Sequence, residues 1–164
     1  MTLFLNIILG SGLLLTFLQD WKFRAVHWVV FPVLGATALF LLKISLIGHW
    51  EILIYNAAFL ITVIFCLSAY VMIKEGRFVN LFREHFGFGD LLFLLVIIPL
   101  FSPQNYILFF ITGMFLSALL HLLLTIKKPI STIPLAGYLA IYLLLLKIVD
   151  WIGFADPFTT TLVH

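Results

Sequence analysis

Residues 52–73 read ILIYNAAFLITVIFCLSAYVMI, a run with no charged side chain, bounded by Glu51 and Lys74. A helix needs roughly 20 mostly apolar residues to cross the hydrocarbon core of a bilayer. The run therefore predicts a membrane-spanning helix over Ile52–Ile73, and similar runs lie on both sides of it. Toward the N-terminus, Trp28–Ile47 ends at Gly48-His49-Trp50-Glu51, and Leu3–Leu18 ends at Gln19-Asp20-Trp21-Lys22-Phe23-Arg24. Leu3–Leu18 lacks the basic start of a secretory signal peptide and is expected to stay as an anchor. Toward the C-terminus, a polar stretch Lys74–Gly89 precedes the short apolar run Leu91–Phe101 and the turn Ser102-Pro103-Gln104-Asn105. Tyr106–Ile126 and Ile133–Val149 complete the set. The expectation is an all-α membrane protein with six transmembrane helices in a single domain over residues 1–164.

Composition points the same way. The 164 residues are 64% hydrophobic and only 10% charged, with a mean hydropathy of +1.24. Soluble domains are about half apolar and a quarter charged, and must cover themselves with polar groups. A soluble enzyme, a disordered tail, a disulfide scaffold and a zinc ribbon are all excluded. The lone Cys66 sits mid-run, and a formal charge of +2 gives no footing for nucleic acid.

The basic residues give an orientation. The breaks after the first, third and fifth runs carry Lys22, Arg24, Lys74, Arg77, Arg83, Lys127 and Lys128, whereas those after the second and fourth carry none. Cytoplasmic loops collect Lys and Arg, so these odd-numbered breaks are expected in the cytoplasm, with both termini outside. Lys43 and Lys147 fall near outward ends, where long side chains snorkel to headgroups. Within the polar stretch, Phe78, Phe82 and Phe86 recur every four residues. That spacing predicts a short amphipathic helix on the cytoplasmic surface between the third and fourth spans.

Of the seven acids, Asp20 and Asp90 stand apart. Asp20 follows the first apolar run and Asp90 precedes the fourth, so both lie at the cytoplasmic boundary on different helices. Taken singly, Asp20 reads as an interfacial stop residue and Asp90 as a helix N-cap. The stretch from Asp90 to Ser102 is too short to cross a core of about 30 Å at about 1.5 Å per residue. If its cytoplasmic end is sunk, Gly87-Phe88-Gly89-Asp90 sits at membrane depth, where an ionisable group is a functional candidate with a partner to be named. Asp20 is that partner. Gly87 and Gly89 permit positive φ and a close approach of other backbone just before Asp90. The histidines show no metal-ligand spacing, and no cofactor or metal is expected.

Three pieces, in order, resemble the type IV prepilin peptidases and archaeal preflagellin peptidases, the GxGD-type aspartic membrane proteases. Asp20-Trp21-Lys22-Phe23-Arg24 is similar to the family's first motif, an Asp followed four residues on by Arg. Gly87-Phe88-Gly89-Asp90 is similar to the second, and Ile133-Pro134-Leu135-Ala136-Gly137-Tyr138-Leu139 to the opening of the last core helix. The chain departs from the family at Val26-His27-Trp28, where Ile-Pro-Asn is common, and at Leu92, where Lys is common. Nothing corresponds to the Cys-x-x-Cys insert of the larger members, so no methyltransferase activity is expected. The resemblance implies an aspartic endopeptidase of the cytoplasmic (inner) membrane. Its catalytic residues would be Asp20 and Asp90, with Gly87, Gly89 and Arg24 positioning loop and substrate. The partner would be a pilin-like precursor with a short cytoplasmic leader ahead of an apolar helix. A second reading stays open from the residues alone: a small transporter or scaffold whose paired acids bind protons or cations. A conducting pathway would need polar groups continuing toward the outer face.

Overall fold

The computed structural model of the chain describes residues 2–45, 50–76, 87–125, 134–153 and 157–158. Every regular element among them is helical. In order they are α1 (Thr2–Phe23), α2 (Val30–Ser45), α3 (Trp50–Glu75), α4 (Phe88–Val96) continued by a 3-10 turn at Ile98–Leu100, α5 (Pro103–Thr125) and α6 (Leu135–Ile152). Each helix covers one of the six apolar runs. Four are long and apolar enough to cross a membrane, namely α1, α3, α5 and α6. The fourth helix, α4, is shorter than a full span at 9 residues. The second run was expected over Trp28–Ile47; α2 starts two residues later, at Val30, and is described to Ser45. The amphipathic stretch at Phe78, Phe82 and Phe86 lies outside the described residues, as do Arg77, Arg83, Lys127 and Lys128.

The helices pack with α1 along α2 and α6, and α5 along α3 and α6, while α4 sits among α2, α3 and α6. Small residues allow the close approaches: a Cβ on Gly12 would come within 2.7 Å of Leu34, and one on Gly113 within 2.6 Å of Leu139. Helices in lipid associate through such contacts, because apolar burial offers little drive between two apolar phases. The outer faces stay apolar, with Ile61, Phe65, Ile73, Phe115, Leu122 and Trp151 all strongly exposed. That surface is suited to acyl chains and costly in water.

The break after α4 has a chemical cause and an identifiable remedy. Pro99 cannot donate a backbone N–H, so the α-helical ladder cannot run through it, and the chain tightens into a 3-10 turn. Side chains from the long helices donate to carbonyls around the break. Tyr106 Oη donates to the Leu94 carbonyl at 2.9 Å. Asn56 Nδ2 donates to the Ile98 carbonyl at 3.1 Å and the Phe101 carbonyl at 2.9 Å. Asn56 is itself 1% exposed and lies about 9 Å along α3 from Trp50. The far end of α4 is therefore held inside the bundle. Beyond it the Ser102 amide donates to the Phe158 carbonyl at 2.8 Å, which folds part of the C-terminal tail over the turn. Asn56→Leu removes both donors, and the expected loss of stability is about 1–2 kcal/mol, checked by thermal unfolding in detergent.

Candidate functional site

Asp20 lies inside α1, which continues past the apolar run through Phe23, and the residue is 7% exposed. Asp90 is not the N-cap of its helix: Gly87 occupies that position with φ −65 and ψ 131, and Asp90 stands in the first turn of α4.

Both acids converge on a third element. Asp90 Oδ1 accepts from the Ala136 amide at 2.7 Å, and Asp20 Oδ2 accepts from the Gly137 amide at 2.7 Å. Ala136 and Gly137 are consecutive residues in the first turn of α6, which opens after Pro134. The first amides of a helix have no intrahelical partner and carry the positive end of its dipole. Two neighbouring amides thus draw two carboxylates from different helices to one place. This geometry requires the end of α1 and the starts of α4 and α6 to lie at the same end of the bundle, as alternating helix direction would place them. Asp90 is half-buried beside the exposed Gly87, whereas Asp20 is buried.

Glycine serves this site through space. The positive φ that Gly87 and Gly89 permit is not used: Gly87 is extended, Gly89 is helical, and the positive-φ glycines among the described residues are Gly76 and Gly153. What matters at Gly87 is proximity, because a Cβ there would sit 2.6 Å from Asp90 Oδ2. A Cβ on Gly137 would lie 3.1 Å from Asp20 Oδ2 and 3.2 Å from its Cβ. At Gly89 the nearest atom would be Phe31 Cζ at 3.9 Å, an ordinary contact.

Arg24 is the unusual backbone position, with φ 55 at the end of α1 and its amide donating to the Asp20 carbonyl at 3.1 Å. Glycine is the common residue at a left-handed helix end. Arginine there accepts strain of about 1 kcal/mol or more, and its charge acts on both Asp20 and Tyr138. Arg24→Gly relieves that strain and Arg24→Ala keeps it. The glycine variant is expected to unfold about 1 kcal/mol later than the alanine variant, read by paired thermal melts.

Asp20, Asp90, Gly87, Gly89 and Arg24 are legible as site candidates in the sequence, whereas Ala136 and Gly137 are not. Their contribution is a pair of backbone amides, which leaves no side-chain signature. The partners are 46 and 117 residues away, and only the string Pro134-Leu135-Ala136-Gly137 hinted at a helix start. Among the described residues no group of three or more His, Cys, Asp or Glu could hold a metal ion. No protein-family model, curated protein or solved structure matches the chain.

Proposed function

We propose that this chain is a membrane-embedded aspartic endopeptidase of the prepilin peptidase type, which removes a short cytoplasmic leader from pilin-like precursors. The observation that carries the reading is the meeting of Asp20 and Asp90 on the adjacent amides of Ala136 and Gly137, at one end of the bundle. In this reading all six helices lie in the cytoplasmic membrane with both termini outside. The acids face the cytoplasm, and Phe78, Phe82 and Phe86 belong to a surface helix beside them.

Two carboxyls this near one another cannot both ionise cheaply, so they hold one proton between them and titrate as a pair. The ionised member takes a proton from a water, whose oxygen bonds to the scissile carbonyl carbon. The π pair moves onto the carbonyl oxygen, which takes the proton of the other carboxyl. Collapse of that adduct breaks the C–N bond. The leaving nitrogen takes up a proton from the carboxyl that first received one, and the adduct's hydroxyl proton returns to the pair. The helix end of α6 fixes both acids through their other contacts, which is the preorganisation such chemistry requires.

The surroundings favour hydrolysis over conduction. Directly inward of the acids the core is apolar: Leu13, Phe93, Leu94, Leu139 and Leu143 are each at most 1% exposed. Thr16, one turn along α1 from Asp20, spends its hydroxyl on the Gly12 carbonyl at 2.9 Å. An ion or proton path would need exchangeable polar groups there. The test is co-expression with pilin-like precursors, scored for a leader-sized mobility shift; a shift is expected, and its absence across a varied panel overturns the reading.

A further inference from the structure

Next to Gly137 stands Tyr138, whose side chain is only 3% exposed. Its hydroxyl has no hydrogen-bond partner among the described residues. Buried hydroxyls are almost always paired, since an unmet one forfeits its hydration with nothing in return. Orphaned groups in native structures call for an explanation, and a functional role is a leading one.

The position of the ring narrows that role. It sits edge-on to Trp21, the neighbour of Asp20, with centroids 6.1 Å apart. Trp21 and Asp20 are neighbours at the end of α1 that forms one wall of the site. Tyr138 is thus fixed by its ring on one side and by the first turn of α6 on the other, beside the carboxylate that Gly137 holds. A phenol in that place is a preorganised donor. Trp21 and the helix hold its ring, and the buried hydroxyl meets an acceptor only when the substrate parts the packing over it.

We propose that the Tyr138 hydroxyl is a third polar group of the site, which donates a hydrogen bond to the carbonyl oxygen of the peptide under attack. The inference rests on the peptidase reading and adds a residue to it. Tyr138 keeps its proton throughout. It stabilises the oxygen as negative charge gathers there during addition of water, and the proton that oxygen finally takes comes from the aspartate pair. A donor that meets charge only as it develops acts on the chemical step rather than on binding.

The experiment uses the full chain, purified in detergent, and a synthetic pilin-like precursor with a short leader ahead of an apolar helix. It compares wild type, Asp90→Asn, Tyr138→Phe and Tyr138→Leu. Tyr138→Phe removes one oxygen and keeps the ring, so the melting temperature is expected to stay level or rise. Its kcat is expected to fall by about 100-fold with KM within about twofold of wild type, the effect typical of losing one such donor. Tyr138→Leu loses both hydroxyl and ring and should be no more active than Tyr138→Phe. A kcat for Tyr138→Phe within twofold of wild type, or a loss carried wholly by KM, overturns the proposal. In either case cleavage by wild type but not by Asp90→Asn leaves the peptidase reading standing. Failure of the wild-type chain to cleave a panel of such precursors overturns both together.

Discussion

Asp20→Asn and Asp90→Asn are each expected to lower precursor cleavage by on the order of 1,000-fold or more, while the protein still inserts and folds. The two halves of that expectation have separate causes. Asparagine keeps a carbonyl oxygen at the carboxylate's position, so it can still accept from the Gly137 or Ala136 amide and hold the start of α6. What it cannot do is take up or surrender a proton at neutral pH. General acid–base catalysis contributes roughly 100- to 10,000-fold, and one remaining carboxyl cannot serve as acid and base at once. Alanine at either position should lose activity and also stability, by about 1 kcal/mol, because a first-turn amide is left without an acceptor. Cleavage assays beside thermal melts separate the effects. Wild-type cleavage in either asparagine variant would make the acids cross-helix caps and nothing more, and would return the transporter or scaffold reading to the front.

Gly87→Ala is expected to reduce cleavage by about 100-fold with little change in folding stability. Its backbone is extended, a conformation open to any residue, so the added methyl brings no torsional strain. The cost is contact: the methyl would sit 2.6 Å from Asp90 Oδ2, and the carboxylate must move aside. A displacement of about 1 Å in a catalytic group is enough for a loss of that size. Gly89→Ala is the matched comparison. Its methyl meets only Phe31, at 3.9 Å, and alanine is favoured over glycine inside a helix by about 1 kcal/mol. It should keep cleavage within a few-fold of wild type and melt slightly higher. Equal damage at the two positions would mean that a substrate strand runs against both glycines and that the Asp90 contact is secondary.

The contrast between these glycines shows where the reading of the sequence stopped. The string Gly87-Phe88-Gly89-Asp90 shows that something crowds the chain there. It does not show which glycine is crowded, because that depends on the rotamer Asp90 adopts to reach Ala136. Arg24 has the same character. Its spacing from Asp20 is visible in the sequence, but its left-handed backbone at the end of α1 is not.

The sequence by itself determined the apolar helices, their number and their order, because side-chain hydrophobicity against a bilayer acts locally and is read run by run. It also marked Asp20 and Asp90 as acids at run boundaries. Only the tertiary structure decided that the two acids meet on the first turn of α6, and that Asn56 and Tyr106 answer carbonyls around the break at Pro99. Those features depend on hydrogen bonds between residues far apart in the chain, often with a backbone amide or carbonyl as one partner. A backbone group is the same at every position and acquires a role only when folding brings a side chain to it.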